Sequence, residues 1–444
     1  MDVNFFREDK GCNPDMVRES QRRRFAPIEH VDEVIALDLK WRKSRYECDQ
    51  AKKNFSNLNK QIAEKKKKKE DASMLLNQTE SLKQEVVLKE EAEKECRKKL
   101  DEMLDKIGNI VHESVPFSNN EDDNEIVRTW GERRPSVTKH THDILLGMVD
   151  GFDPIHGSKV AGHRGYYLTG AAVALNQALI NYGLSFLFKR QYKLIQTPIF
   201  LNKHVMSKVA QLTQFDEELY KVTGDGDEKY LIATSEQPIA ALHIEEWINP
   251  KSLPLRYAGL STCMRKEAGA HGKDVTGIFR VHQFEKIEQF VVTAPTDSWE
   301  MHEEMLGVAE EFYQSLNLPY RVVNIVSGEL NMAAAKKYDI EGWFPESQRY
   351  RELVSCSNCT DYQARKLEAR YGTKDHDQHI KQYVHMLNAT LCATGRTICC
   401  ILENYETEHG IEVPLVLQPF MEGFLEDKSL IPFAKVPATK HKCK

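Results

Sequence analysis

The 444-residue sequence lacks the features of secreted, membrane-spanning and disulfide-bonded proteins. No apolar segment of the signal-peptide kind stands at its start, and its longest apolar runs fall short of a membrane span. The ten cysteines are scattered without the spacing of a disulfide framework, which favours a reducing compartment. The net charge is only −6, so any contact with nucleic acid would need a local basic stripe. We therefore expect a soluble, cytoplasmic protein with no membrane partner.

The segment from about residue 30 to 111 almost lacks glycine and proline and carries a long heptad pattern. Its first half repeats an apolar or thiol side chain every seven residues, at Val34, Trp41, Cys48, Phe55 and Ile62. The second half continues the pattern from Leu75 to Ile110, interrupted by Lys89 and Glu93. Apolar heptads of this length predict a coiled coil. The polar run from Lys65 to Asp71 predicts that it is an antiparallel hairpin of two helices, each about 50–60 Å long.

Such an arm is too thin to hold a pocket, so it must contact something outside its own domain. From Glu29 to His112 the sequence has 19 Lys and Arg against 18 Asp and Glu, so the arm is not uniformly basic. A rod that only dimerises the protein is the alternative at this point. We place the first domain at residues 1–118 and the second at 119–444, because the acidic stretch Asn119–Asn124 separates two different periodicities.

The second domain alternates short strands and helices with hairpin connections and no dinucleotide-binding glycine motif. This pattern predicts an α+β fold with a mainly antiparallel sheet flanked by helices. The predicted strands lie near 229–234, 256–266, 279–293, 320–326 and 351–357. The predicted helices lie near 171–190, 235–247, 297–316 and 395–406.

The segment from Arg256 to Thr293 reads as a long hairpin around a glycine-rich loop, 268–277. Strand alternation places Arg265 and Glu267 on one face of its first strand, and Arg280, Phe284 and Glu288 on one face of its second. Charged groups of this density need partners if the sheet face is buried. They suit a ligand with a polyanion, a planar base and an ammonium group, such as ATP with an amino acid.

The order of motifs resembles that of the class II aminoacyl-tRNA synthetases, specifically the seryl-tRNA synthetases of the eukaryotic cytosolic type. The three class signatures correspond to a helix and strand ending at Pro198, to the hairpin 265–290, and to 387–405 with Arg396 at a helix start. Thr234-Ser235-Glu236 and the segment 351–365 are typical of the seryl enzymes. The resemblance covers nearly the whole chain and implies a tRNA-binding arm followed by a class II catalytic domain.

The resemblance implies an ATP site in which Arg265 and Arg396 are the catalytic residues. Arg265 would hold the α-phosphate and the serine carboxylate, Arg396 would lie over the distal phosphates, and Phe284 would stack on adenine. Mg²⁺ would be held by Glu352 and Ser355, whose oxygen atoms suit a hard cation. The implied ATP-binding residues are Arg265, Lys266, Glu267, Arg280, Val281, His282, Gln283, Phe284, Glu352, Leu353, Val354, Ser355 and Arg396.

The resemblance also implies a small polar pocket for L-serine, with Glu288 and Thr234 recognising its ammonium and hydroxyl groups. The implied serine-binding residues are Thr234, Glu236, Arg265, Glu288, Asn388 and Thr390. The implied reaction joins serine to tRNA(Ser) through a seryl-adenylate, and tRNA(Sec) stays open as a second acceptor. A non-catalytic, synthetase-like tRNA-binding module and class II synthetases for other small amino acids are the alternatives.

The arm is implied to bind the tRNA, and the family implies a homodimer in which each arm serves the partner subunit. The arm residues that we expect to contact tRNA are Arg42, Lys43, Arg45, Lys52, Lys53 and Lys60. Cys356 and Cys359 have the spacing of half a zinc site, but no second pair follows, so we expect no zinc. The basic tail 435–444 is expected to be disordered, with an auxiliary RNA contact as the alternative.

Overall fold

The computed structural model describes residues 1–134, 140–210, 215, 218–224, 226–267, 276–373 and 381–434. The chain forms two compact units, Met1–Ile110 and Val111–Lys444. The predicted boundary between residues 118 and 119 lies slightly later in the chain than this division.

The first unit consists of three helices that follow two short 3₁₀ turns, Val3–Phe6 and Glu8–Lys10. Helix α1 begins at Pro14, where the missing N–H is tolerated, and the Asn13 side chain accepts a hydrogen bond from the Asp15 N–H at 2.9 Å. The helices are α1 Pro14–Arg23, α2 Glu29–Lys67 and α3 Ser73–Leu104. Helices α2 and α3 are about 58 and 48 Å long and pack against each other. The predicted polar break, Lys65 to Asp71, covers the last residues of α2 and the turn that follows.

The predicted heptad positions of α2 are buried except for Phe55, whereas most of those on α3 are half-buried. The predicted pattern also runs past the end of α3 at Leu104, to Ile107 and Ile110. Val34, Trp41 and Cys48 are each exposed by less than a tenth. The two residues that interrupt the pattern on α3 make polar contacts with α2. Glu93 accepts a hydrogen bond from Trp41 Nε1 at 2.6 Å, and Lys89 pairs with Glu47 at 2.6 Å. Polar pairs inside an apolar seam favour one helix register over others, so these interruptions define the alignment of the arm.

The second unit contains nine further helices within the described residues, and each is shorter than the arm helices. They are α4 His142–Met148, α5 Pro154–Ala161, α6 Gly170–Phe188, α7 Lys203–Val209, α8 Glu236–Ala241, α9 Ser298–Ser315, α10 Tyr362–Leu367, α11 Thr394–Asn404 and α12 Gln418–Met421.

Within the described residues, the strands of the second unit form one large sheet and four small ones. The strands are β1 Glu125–Trp130, β2 Phe152–Asp153, β3 Tyr167–Leu168, β4 Lys193–Gln196, β5 Phe200–Asn202, β6 Lys221–Val222, β7 Lys229–Leu231, β8 Trp247–Ile248, β9 Leu255–Met264, β10 Gln283–Thr293, β11 Tyr320–Asn324, β12 Lys336–Phe344, β13 Arg349–Asn358, β14 Arg370–Tyr371, β15 Gln382–Tyr383, β16 His385–Ala393, β17 Gly410–Glu412 and β18 Leu430–Pro432.

The large sheet has eight strands in the order β1-β11-β12-β13-β16-β10-β9-β4. Its pairs are antiparallel except for β4, which runs parallel to β9. Helices α6, α9 and α11 pack against this sheet and contribute to the main hydrophobic core. The predicted α+β fold with a mainly antiparallel sheet is therefore confirmed.

Helix α6 corrects one expectation from the sequence. By length and composition it is the one helix among the described residues that could cross a membrane. Half of its apolar window is buried, however, and Leu175 and Leu179 lie in the main core. The expectation that every apolar run falls well short of a span was wrong, because a core helix can be as apolar as a membrane helix.

Two predicted elements have different ends. The helix predicted at 235–247 ends at Ala241, and Glu245, four residues further on, has a φ of 57° that an α-helix does not allow. The strands of the central hairpin are shorter than predicted, since β9 ends at Met264 and β10 begins at Gln283. Arg265, Glu267 and Arg280 thus lie just beyond the strand ends, and strand alternation does not decide their directions.

Candidate active site

Strands β9 and β10 form the floor of the site. Phe284 pairs with Cys263 and Glu288 with Gly259, so Phe284, Lys286 and Glu288 project from one face of β10. Gly259 allows a close approach from the start of α8: a Cβ there would lie 2.7 Å from Ser235 Oγ and 2.6 Å from Ile239 Cδ1. A larger residue at this position would push the Thr234-Ser235-Glu236 segment away from Glu288.

The carboxylate of Glu288 is the centre of a buried polar network. Its Oε2 atom accepts hydrogen bonds from the Thr234 hydroxyl, from Ser235 Oγ at 2.8 Å and from the Glu236 N–H at 3.2 Å. Its Oε1 atom lies 3.1 Å from Lys286 Nζ, which also donates to Thr234 Oγ1 at 2.7 Å. Burial opposes ionisation of Glu288, but the charge of Lys286 and the hydroxyl donors hold its pKa below the ordinary value.

Glu236 lies beside this network, and its pKa is shifted in the opposite direction from that of Glu288. Gln363 Nε2 donates to Glu236 Oε1 at 2.6 Å. Burial and then the negative charge of Glu288 raise the pKa of Glu236 to about 7, while Gln363, Lys286 and Arg265 oppose the shift. The site therefore holds two carboxyl groups with separated pKa values, an arrangement common in functional pockets.

Two residues of β16 complete this side of the site. Thr390 is the ladder partner of Glu288, and Asn388 is the ladder partner of Phe290. Both are only 8% exposed, and Asn388 Nδ2 lies 3.6 Å from Cys359 Sγ. The structure thus brings Thr234, Glu236 and Glu288 into contact and places Thr390 and Asn388 on the neighbouring strand. We call the space beside these five residues the small polar volume.

Arg265 lies between this polar volume and the rest of the cleft. Its backbone N–H donates to the His282 carbonyl at 2.9 Å, which holds the two ends of the hairpin together. Its Nε donates to the Ala233 carbonyl at 3.3 Å, and its guanidinium lies 5.4 Å from the centre of the Phe284 ring. The positive charge of Arg265 lowers the pKa of Glu236 on one side and of Glu352 on the other. Both carboxyl groups are therefore within electrostatic reach of the same guanidinium.

The second arginine, Arg396, lies in the first turn of α11 and contacts β13. Its Nη1 donates to the Glu352 carbonyl at 3.1 Å and lies 3.3 Å from Glu352 Oε2. Burial works against ionisation of Glu352, yet Arg396, Lys337 and Arg265 lower its pKa. Glu267 and Arg280 form a looser pair at 3.7 Å beyond the ends of the ribbon.

The neighbourhood of Glu352 fits a hard cation. Ser355 is the ladder partner of Asp339, whose Oδ1 is buried without a hydrogen-bond partner. Burial, opposed by Lys337, raises the pKa of Asp339 to about 7. No cluster of three or more His, Cys, Asp or Glu residues suited to a metal is found in the described part of the chain. A carboxylate and a hydroxyl still suit Mg²⁺, which commonly binds one or two carboxylates and takes its other ligands from phosphates and water.

Some predicted residues direct their side chains away from the cleft. Val281, Leu353 and Val354 are between 0 and 3% exposed and lie in the main core, so only their backbones are available to a ligand. Cys356 and Cys359 are buried as free thiols, and Cys356 contacts the His302 carbonyl. The loop residues 268–275 and the basic tail 435–444 lie outside the described residues.

Sequence reasoning missed Lys286, Ser235 and Gln363. Lys286 could have been found, because it lies between Phe284 and Glu288 in the alternation that identified that face. Ser235 and Gln363 lie in motifs typical of the seryl enzymes, but the sequence gave them no role, since their contacts depend on how distant segments pack.

The arm residues predicted to contact tRNA fall into two groups. Arg42 pairs with Asp9 and Asp38, Lys52 pairs with Glu90 at 2.8 Å, and Arg45 lies over the Trp41 ring. Lys43, Lys53 and Lys60 are exposed, and none of the ion pairs found in residues 1–110 involves them. Heptad spacing places these three lysines on the side of α2 that faces away from α3.

Two family matches cover different parts of the chain. Residues 1–111 match the seryl-tRNA synthetase N-terminal domain. Residues 220–405 match the tRNA synthetase class II core domain (G, H, P, S and T).

Individual relatives match over nearly the full length. The serine–tRNA ligase of Helianthus annuus is 59% identical over 98% of this chain and 99% of its own. The cytoplasmic serine–tRNA ligase of Arabidopsis thaliana is 57% identical over 98% of this chain and 97% of its own.

Two solved structures are similarly close. The cytoplasmic serine–tRNA ligase of Naegleria fowleri, in complex with AMP, superposes with a TM-score of 0.86 at 51% identity, over 98% of this chain and 99% of that one. The seryl-tRNA synthetase of Pyrococcus horikoshii, complexed with ATP, superposes with a TM-score of 0.87 at 37% identity, over 98% of this chain and 100% of that one.

Proposed function

The chain belongs to the seryl-tRNA synthetases, a family of class II aminoacyl-tRNA synthetases, and we propose that it joins L-serine to tRNA(Ser) with ATP in the cleft above β9 and β10. The predicted type is the eukaryotic cytoplasmic one, in agreement with the names of the relatives. The observation that carries the site assignment is the hydrogen-bonded, ionised carboxylate of Glu288, near Arg265 and Phe284.

The charged and polar groups of serine have matching partners around the small polar volume. The Glu288 carboxylate would accept from the substrate ammonium, and the Thr234 hydroxyl together with Thr390 would meet the substrate hydroxyl. Arg265, on the open side, would bind the substrate carboxylate, because a guanidinium presents a rigid set of donors to anions. In this pose the carboxylate points towards the position of the α-phosphate.

ATP fits along the rest of the cleft. Phe284, half-buried and flat, would stack on adenine, and Glu267 would accept from its amino group. Arg265 would contact the α-phosphate and Arg396 the distal phosphates. Glu352 and Ser355 would hold Mg²⁺, which when bound neutralises phosphate charge.

The first step forms the bond between a serine carboxylate oxygen and the α-phosphorus, and breaks the bond from that phosphorus to the bridging oxygen of pyrophosphate. The developing negative charge lies between Arg265 and Arg396, so positioning and charge neutralisation supply the catalysis. In the second step the terminal 3′-hydroxyl of tRNA attacks the seryl carbonyl carbon, and AMP leaves. Neither step uses a nucleophile of the protein.

Selectivity follows from the polar contacts of the pocket. Alanine lacks the hydroxyl and would leave buried polar groups unpaired, which is a strong penalty. Threonine keeps the hydroxyl and is rejected only by the space that its methyl group needs, typically about 1–3 kcal/mol. Threonine is therefore the more demanding competitor.

The arm is proposed to bind the tRNA by shape and backbone, through the exposed face of α2 that carries Lys43, Lys53 and Lys60. A homodimer in which each arm serves the partner subunit would let one tRNA contact both an arm and a catalytic cleft. The mass of the protein in solution, with and without tRNA, tests the dimer.

Serine-dependent ATP–pyrophosphate exchange tests the function. Exchange with serine in the absence of tRNA, followed by charging of tRNA(Ser), is the expected result, and a parallel reaction with tRNA(Sec) tests a second acceptor. Faster exchange with threonine or proline would indicate a different amino acid. tRNA binding without exchange would support the non-catalytic alternative, which the near-full-length similarity to ligases disfavours.

A further inference from the structure

Among the described residues, Lys286 is the one buried cation in direct contact with the carboxylate assigned to serine, and none of the proposed binding steps uses it. It lies on β10 between Phe284 and Glu288 and is 6% exposed. Its Nζ atom contacts Thr234 Oγ1 at 2.7 Å and Glu288 Oε1 at 3.1 Å. A buried ammonium group needs partners of this kind, so its position is fixed by the two residues that would recognise serine.

The contacts of Lys286 give Thr234 and Glu288 defined hydrogen-bonding directions. Because Lys286 donates to Thr234 Oγ1, the Thr234 hydrogen is directed to Glu288 Oε2. Ser235 Oγ and the Glu236 N–H occupy the same carboxylate oxygen. These donors on both carboxylate oxygens hold the carboxylate in one rotational position.

We propose that Lys286 is a positioning residue for serine, which holds Glu288 as an ionised and oriented acceptor for the substrate ammonium. This role rests on the proposed function, because it presumes that Glu288 meets serine. Lys286 itself does not touch the reacting atoms.

The charges around Glu288 determine how the removal of Lys286 would change the pKa of Glu288. The titratable or charged groups facing it are Lys286 on β10, Cys263 on β9, Glu236 at the start of α8, and Arg265 beyond β9. Strand β16 contributes Thr390 and Asn388, which do not titrate near neutral pH. Burial and the neighbouring Glu236 raise the pKa of Glu288, and Lys286 lowers it. Without Lys286, one of the charges that oppose the rise is gone. The carboxyl group then takes up a proton at a higher pH, and a protonated Glu288 is a poor partner for an ammonium group.

The test compares wild type with Lys286→Met and Lys286→Gln by serine-dependent ATP–pyrophosphate exchange from pH 6 to 8.5. Both variants are expected to raise the serine KM at least tenfold at pH 7 and the ATP KM less than twofold. The deficit in serine KM should shrink as the pH rises, because Glu288 regains its charge. The serine KM of wild type is measured in parallel and shows the pH dependence that comes from Glu236. It should lack the additional fall with rising pH that is expected for the two variants. Lys286→Arg keeps the charge and should restore most of the serine KM.

A double-mutant cycle separates the positioning role from simple stabilisation. In a Glu288→Gln background there is no carboxylate to hold, so Lys286→Met should change the serine KM less than twofold further. The matched control is Lys336→Met, which removes an equally buried lysine that contacts Ser114 away from the cleft. This control is expected to lower the melting temperature without changing the serine KM or its pH dependence.

Three results would overturn the inference: an unchanged serine KM and pH profile in Lys286→Met and Lys286→Gln, an equal rise in the KM of ATP, or independent effects in the Glu288→Gln background. If the Met and Gln variants do not fold, the test uses Lys286→Arg, which keeps the charge. The inference would be refuted if the serine KM of this variant depended on pH as steeply as is expected for Lys286→Met. Failure of the proposed function has a different signature, since wild type itself would then show no exchange with serine.

Discussion

Replacement of Lys43, Lys53 and Lys60 by alanine tests the division of labour between the arm and the catalytic unit. Lys43 and Lys60 are 17 residues apart on α2, which corresponds to about 26 Å along the helix. Each phosphate contact contributes about 0.7–0.9 to the slope of log affinity against log salt concentration. If each lysine contacts one phosphate, the triple variant should lower that slope by about 2–3. The ratio of wild-type to triple-variant affinity for tRNA should then fall about 20- to 40-fold between 50 and 200 mM salt.

The assay is tRNA(Ser) binding across a salt series, together with exchange in the absence of tRNA. Exchange should keep its wild-type serine and ATP KM values, because the variant leaves the second unit unchanged. Replacement of Lys83, Lys94 and Lys98 on α3 changes the net charge equally and is the control; of these three, Lys98 forms a long, exposed pair with Glu102 at 3.8 Å. A salt slope unchanged in the α2 variant, or lowered equally in the α3 control, would refute the assignment of the tRNA-binding face.

Three further changes have defined outcomes. Arg265→Ala should abolish exchange while the melting temperature stays near that of wild type, and near-normal exchange would refute its role at the α-phosphate. Replacement of residues 49–87 by a short flexible linker keeps the core around Val34 and Leu100; it should preserve exchange but severely weaken tRNA charging, and equal loss of both would make the arm part of the catalytic fold. Burial lowers the pKa of His302 to about 4, so the folded state disfavours its protonation. Stability should therefore be lost as the pH falls from 6.5 towards 4, by about 3 kcal/mol in all, and denaturant unfolding of His302→Gln should lack this loss.

The arm was predictable from the sequence because its packing follows a local repeat. Heptad spacing alone identified the buried face of α2, from Val34 to Ile62. It did not predict the buried ion pair between Arg7 and Asp38 at 2.6 Å, because Arg7 reaches α2 from a segment outside the repeat. Nor did it explain Lys89 and Glu93, whose partners are on the other helix.

The catalytic cleft was predictable in its composition but not in its detail. Alternation along β10 placed Phe284 and Glu288 on one face, and the resemblance to the seryl enzymes supplied the remaining candidates. The alternation failed for Arg265, Glu267 and Arg280, since β9 and β10 end before reaching them. The role of Ser235 depends on the close approach of α8 over Gly259, which is a tertiary contact without a sequence period. Lys286, in contrast, follows the same alternation as Phe284 and Glu288.

A crystal structure with a non-hydrolysable seryl-adenylate analogue is the most direct test of the site. The account predicts the seryl ammonium within hydrogen-bond distance of Glu288, the adenine ring against Phe284, and the phosphate mimic at Arg265. Density for the analogue outside the β9–β10 cleft, or bound there with its seryl group away from Glu288, would contradict it.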